Sequence, residues 1–180
     1  GWEGVVVTIG SQGAVRLWRP NQIAETVLQT WADARPTTLT FASDGGIAAI
    51  GLESGSVLIA EAETLRVRSV VDIPALEQAK VRQRSRKSPS KAVSQAVRFA
   101  ENQTHTELGA VISLRFSPDG SMLAVGMQSG SVIVVSVDNG LAQVLPDDKK
   151  FVLNKVDALD WSQDGALLRA SSTPKKTTMP

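Results

Sequence analysis

The densest chemistry in this chain is cationic. Lys80, Arg82, Arg84, Arg86, Lys87 and Lys91 follow one another closely with no acid among them. A run of that kind attracts polyanions, and added salt weakens the attraction because binding releases counterions. Ser88, followed by Pro89, is a candidate phosphorylation site inside the run. A phosphate there would add about −1.5 to −2 charge and cut the attraction. No aromatic residue lies among the six cations to stack on bases, so nucleic acid is not the expected partner. The plainer alternative is a solvated basic loop that docks nothing.

Other reactive residue types do not assemble into a reaction centre. Asp157, Asp160 and Asp164 are the nearest thing to a carboxylate cluster. Asp164 is accounted for by a turn, and Asp157 and Asp160 point to opposite faces if 156–161 is a strand. His105, the one histidine, sits in loop-like composition beside Asn102, Gln103, Thr104 and Thr106. There is no cysteine, which excludes disulfides, thiolate metal sites and a thiol nucleophile. Gly45, Gly46 and Gly51 fall in a strand–turn–strand pattern with no helix after them to hold phosphate. No catalytic residue, metal or cofactor is therefore expected, and the chain reads as non-enzymatic.

Composition agrees with a globular domain. The chain has 180 residues, 42% of them hydrophobic, and a net charge of +1. Removing the six cations leaves 13 basic residues against 18 acidic ones, so a mildly acidic body carries one basic segment. No apolar run is long enough to span a bilayer, so no membrane partner is expected. The absence of an initiator Met and of a leader pattern suggests an internal piece of a longer protein.

The elements that position these residues come in repeats. Phe41–Gly51 returns as Phe116–Gly126, and Ser54–Val57 as Ser129–Val132, all offset by 75. Another copy starts 45 residues on, at Trp161-Ser162-Gln163-Asp164-Gly165. Gly10-Ser11-Gln12-Gly13-Ala14-Val15 matches Gly51 to Val57 at an offset of 41–42. The period is about 42, and one interval holds an insertion of roughly 30–35 residues. Each copy alternates Val- and Ile-rich strands with turns such as Ser117-Pro118-Asp119-Gly120. Pro118 presets φ, Asp119 bonds back to its backbone, and Gly120 supplies φ > 0 in an expected three-residue loop. The pattern predicts an all-β fold without parallel α/β units.

Three to four strands per repeat, with turns of the Phe116-Ser117-Pro118-Asp119-Gly120 type, resemble the WD-repeat β-propeller. Leu17-Trp18 resembles the end of a third strand in that family, although Arg19 stands where its Asp is expected. Leu123-Ala124-Val125-Gly126, Ile133 to Gly140 and Val156 to Ser162 resemble the EMAP-like microtubule-associated proteins more closely. Trp31 and Glu61-Ala62-Glu63-Thr64 fit the same group. The resemblance implies a propeller fragment of three to four antiparallel blades. We place a partial blade at 1–30, blades at 31–74 and 107–146, the basic insertion at 75–106, and an incomplete blade at 151–180. Trp18 and Trp161 are expected to face the core, while the polar flanks of Trp2 and Trp31 leave those two open.

By the same resemblance, the function is a protein-interaction scaffold that binds tubulin, microtubules or other cytoskeletal or ciliary partners in the cytoplasm. The competing reading is a WD-repeat adaptor for peptide motifs without a cytoskeletal role. A partial ring leaves open strand edges, so completion by more of its own propeller or by a second copy is expected. After Ser172, Thr173 to Pro180 is polar and proline-flanked where a third strand is expected.

Overall fold

The computed structural model describes residue 4 and residues 6–10, 13–19, 26–29, 35–76, 108–145 and 155–172. Among the described residues, thirteen strands form four antiparallel sheets, each strand pairing with its neighbour in sequence within its sheet. The first sheet holds β1 (Val6–Ile9), β2 (Ala14–Trp18) and β3 (Thr26–Gln29). The second holds β4 (Pro36–Phe41), β5 (Ile47–Leu52), β6 (Ser56–Glu61) and β7 (Val67–Asp72). The third holds β8 (Val111–Phe116), β9 (Met122–Met127), β10 (Val132–Ser136) and β11 (Ala142–Val144). The fourth holds β12 (Ala158–Trp161) and β13 (Leu168–Ser171). The molecule is an all-β fragment of propeller-like blades.

The pairings align the repeats. Val15 pairs with Ile9 as Val57 pairs with Gly51, so β1 and β2 take the places of β5 and β6. The described first sheet thus begins at the repeat's second strand. The described fourth sheet contains the first and second strands, because Leu159 pairs with Ala170 as Leu114 pairs with Val125.

The hydrophobic core lies between sheets. Val15 and Leu17 pack with Ile50, Leu52 and Leu58 between the first and second. Ala49, Val57, Ile59 and Val71 meet Leu123, Val125, Ile133 and Val135 between the second and third. Ala124, Val156 and Leu159 form the contact between the third and fourth. Successive residues of a strand point to opposite faces, so the middle strands of a sheet serve two cores at once. That is why β5 and β9 read as continuous apolar runs rather than alternating ones.

The residue sizes on the two faces differ in a regular way. On β5, Ile50 and Leu52 face the preceding sheet, while Ala49 and Gly51 face the following one. On β9, Leu123, Val125 and Met127 face back, while Ala124 and Gly126 face forward. Further out, the forward face of the second sheet carries Val57 and Ile59 on β6, then Val71 on β7. Spacers that grow from the second strand outward hold neighbouring sheets close at one side and apart at the other, which fans them.

Gly51 and Gly126 are the points of closest approach. A Cβ on Gly51 would lie 2.5 Å from Val111 Cγ1. On Gly126 it would lie 2.6 Å from Val156 Cγ1 and would collide with Ser113 Oγ. Two hydroxyls bond across the same seams. Ser113 Oγ donates to the Val156 carbonyl at 2.8 Å, and Thr37 Oγ1 donates to the Val111 carbonyl.

The turn between first and second strands repeats with little change. Gly45, Gly120 and Gly165 have φ of 72°, 73° and 71°. Each donates its N–H three residues back, Gly120 to Ser117 O at 2.9 Å. The Ser117 N–H donates to Met122 O at 2.9 Å, so four residues lie between, one more than expected from sequence. Because the Ser117 carbonyl is occupied by Gly120, the Met122 N–H donates instead to Ser117 Oγ at 3.0 Å. The Leu167 N–H does the same to Ser162 Oγ at 2.8 Å.

Trp18 corrects a second expectation. It is 46% exposed, and Leu17 takes the core position beside it. The strand alternates, so only one of two adjacent large residues can face inward. The Trp18 Nε1–H donates to Thr8 Oγ1 at 3.2 Å on the outer face.

Gly126→Ala should destabilise the fold by about 1–3 kcal/mol in urea denaturation, because its methyl has no room against Val156. Val156→Ala should cost stability alone yet recover part of the loss when combined with Gly126→Ala. Strict additivity of the two losses would rule out the seam packing described here.

Candidate functional site

A cleft of about 270 Å³ opens at the turn end of the first strands, lined by Phe41, Ser43, Arg115, Phe116, Ser117, Pro118, Asp160 and Trp161. The repeat places these residues together. Thr40, Arg115 and Asp160 occupy equivalent positions on β4, β8 and β12, and Phe41, Phe116 and Trp161 follow them. Phe116 is buried, Phe41 is 36% exposed and Trp161 is half-buried against the core beneath.

Hydrogen bonds tie the cleft across sheets. The Trp161 Nε1–H donates to the Arg115 carbonyl at 3.0 Å. Ser43 Oγ donates to the Pro118 carbonyl at 2.7 Å. Asp160 lies between two guanidinium groups, 3.7 Å from Arg115 and 3.3 Å from Arg169. Both arginine side chains are more than half exposed, at 56% and 80%. Ion pairs that open to water contribute at most about 1 kcal/mol. Their chemical value is as a patterned charged surface: guanidinium, carboxylate and guanidinium beside two aromatic rings.

Two turn aspartates, Asp119 and Asp164, are poor proton acceptors. Ser117 Oγ donates to Asp119 Oδ1 at 2.5 Å, and the Ser121 hydroxyl and N–H donate as well. Those donors hold the Asp119 carboxyl below its ordinary value of 3.8. The Ser162 hydroxyl, then the Ala166 N–H, lowers Asp164 in the same way. Hydrogen bonding to the charged form favours it. Glu61 is lowered by the Thr64 hydroxyl and by Arg68 at 3.4 Å.

The three carboxylates of the C-terminal repeat part company. Asp157 pairs with Lys155 at 2.9 Å, Asp160 with the two arginines, and Asp164 with its own turn. Among the described residues, no three His, Cys, Asp or Glu side chains are grouped to hold a metal. Among them, too, no helix is long and apolar enough to cross a membrane. Lys80, Arg82, Arg84, Arg86, Lys87, Lys91, Ser88, His105, Trp2 and Trp31 lie outside the described residues. Sequence reading did not single out Arg115, Arg169 or Phe41. The signal that could have found them is a charge at one repeat position, Arg115 and Asp160, where the second sheet has Thr40.

A second groove runs along the outer side, where Val70, Asp72, Ala75 and Leu76 face Val137 and Asp138. Asp72 Oδ1 accepts from the Ala75 N–H at 3.0 Å and caps the single helical turn at 73–76. Leu76 and Leu108, which flank the undescribed part of the insertion, both pack against the core between the second and third sheets.

The lowered Asp119 and Asp164 values set a pH dependence. Their stabilisation is complete above the unfolded value of 3.8 and is lost as pH falls through the folded values. Unfolding midpoints should therefore drop as pH falls below about 4, and Asp119→Asn should flatten that slope. Ser162→Ala should move the Asp164 carboxyl titration back up, read by carbon NMR; an unmoved titration would show that the hydroxyl is not the cause. Comparison of the chain with protein-family models finds no match, and a search of curated proteins finds none.

Proposed function

We propose that this chain is part of a non-enzymatic WD-repeat scaffold of the EMAP-like kind, which binds microtubules or cytoskeletal and ciliary partners. One observation supports it most. The blades stack so that equivalent turns line up on one face, and one seam between blades is where the basic insertion departs and returns, at Leu76 and Leu108. A long insertion anchored at both ends to one seam costs little loop entropy and leaves the sheets on either side intact. Its six cations suit an acidic protein surface such as that of a microtubule.

A second reading, an adaptor for peptide motifs without a cytoskeletal role, is favoured by the cleft at Phe41, Arg115 and Trp161. Aromatic and arginine side chains in one depression are the usual anchors of peptide recognition.

Co-sedimentation with polymerised tubulin separates the two. The full-length protein should pellet at low salt and be released as salt rises. Replacing residues 78–106 by a short Gly/Ser linker should lower the pelleted fraction at least about tenfold, because the cations are removed. Absence of pelleting at low salt removes the microtubule reading. Pelleting unchanged by the replacement assigns the contact to the blades.

A further inference from the structure

Two seams between sheets share one plan and differ in how they are filled. In the turn after β6, the Leu65 N–H donates to the Glu61 carbonyl and the Glu61 N–H to the Arg66 carbonyl. In the turn after β10, the Gly140 N–H donates to the Ser136 carbonyl and the Ser136 N–H to the Leu141 carbonyl. Leu65 and Gly140 are therefore structural equivalents. Leu65 is 1% exposed in the core between the first and second sheets, and Val67 packs against the same core. Their counterparts at the next seam are Gly140 and Ala142. No atom lies within 4 Å of where a Cβ on Gly140 would stand. The outer groove, about 510 Å³ along Val71, Leu76 and Val137, opens at that glycine. The second and third sheets that flank it both have four strands.

The charges differ at the same place. At the first seam an arginine of the preceding sheet reaches this turn, Arg19 donating to the Glu63 carbonyl. The counterpart of Arg19 in the second sheet is Glu61, which is engaged by Thr64 and Arg68 of its own sheet. The counterpart of Glu63 is Asp138, whose side chain makes no hydrogen bond or ion pair with a described residue. Asp72, the other carboxylate of the groove, uses Oδ1 to cap the Ala75 N–H. No cation is among the described residues that line the groove.

We propose that this groove is a socket for an extended segment of a partner protein, one that carries a leucine-sized aliphatic side chain beside a lysine or arginine. The aliphatic group does at this seam what Leu65 does at the first, and the cation faces Asp138 and Asp72. The volume falls within the roughly 300–1,000 Å³ of ligand pockets. Burial of the aliphatic group supplies affinity, and the complementary charge supplies selectivity. Glycine keeps the socket open. Its φ of 68° is close to the 57° that Leu65 adopts, so a leucine at position 140 would plug the socket from within. The inference stands apart from both functional readings, since the site is neither the basic insertion nor the cleft at Arg115.

The test is fluorescence anisotropy with the full-length protein and the labelled, amidated peptides Arg-Leu-Arg, Arg-Ala-Arg and Glu-Leu-Glu. Arg-Leu-Arg should bind at least about tenfold more tightly than either of the others. Gly140→Leu should weaken that binding at least about tenfold, with its circular dichroism spectrum unchanged. Asp138→Arg, a surface exchange that leaves the glycine in place, should reverse the preference in favour of Glu-Leu-Glu. Equal binding of the three peptides would overturn the proposal. So would Arg-Leu-Arg binding that Gly140→Leu leaves intact, or a preference that Asp138→Arg leaves unchanged. Replacing residues 78–106 by a Gly/Ser linker should not alter Arg-Leu-Arg binding; a gain of about tenfold would assign the socket to the chain's own insertion and overturn the partner. Self-association by light scattering that Gly140→Leu abolishes would assign it to a second copy, with the same consequence.

Discussion

Close approach between adjacent sheets is the constraint on which the structure depends. At Gly51 and Gly126 a methyl group would collide with the valine that opens the next sheet, Val111 or Val156. Interiors packed near crystal density transmit such a collision rather than absorb it. The same two seams also carry Thr37 and Ser113, whose hydroxyls bond to the carbonyls of those valines. Ser113 is buried, and a buried hydroxyl is costly unless paired, so the seam between the third and fourth sheets must seat in one register for that group to be satisfied. No buried side-chain donor or acceptor is left without a partner among the described residues.

That constraint accounts for the division of labour within a sheet. The second strands carry small residues on the forward face, Ala49, Gly51, Ala124 and Gly126, and large ones on the back face, Ile50, Leu52, Leu123, Val125 and Met127, while β6 supplies bulk on the forward face through Val57 and Ile59. The strand-linking turns are freed from packing and are stabilised locally by Ser117 with Asp119 and by Ser162 with Asp164. Surface chemistry accordingly varies where packing does not. Position 40 is Thr, and its counterparts 115 and 160 are Arg and Asp, while the buried leucines beside them, Leu114 and Leu159, are the same. Leu65 departs from the rule that αL positions take glycine: its φ is 57°, where the equivalent Gly140 has 68°. Leu65 is 1% exposed in the core between the first and second sheets. Burial worth roughly 1.5–3 kcal/mol offsets a left-handed penalty of roughly 1–2 kcal/mol.

The fold was largely legible before any coordinates. Self-similarity at offsets of 75 and 45 located strands and turns, because a repeat must restate its hydrogen-bonding grammar each time it is used. Less was legible about the cleft. Phe41, Arg115 and Trp161 follow one another at separations of 74 and 46 residues in sequence, and they meet only because successive sheets stand side by side. Trp18 was misread for a related reason: Leu17-Trp18 is two large residues in a row, and nothing local says which of them faces the neighbouring sheet.

What the sequence alone determined is whatever depends on neighbours along the chain. That includes strand spacing, the Asp–Gly turn chemistry, the antiparallel all-β class and the segregation of positive charge into one insertion. The tertiary structure alone decided the direction each middle-strand residue faces, the seating of Val111 and Val156 against glycine, and the half-burial of Val132 and Val134. The physical reason is that a strand buried on both sides shows no polar alternation. Its two faces become distinguishable only when a sheet of particular shape is set against each of them.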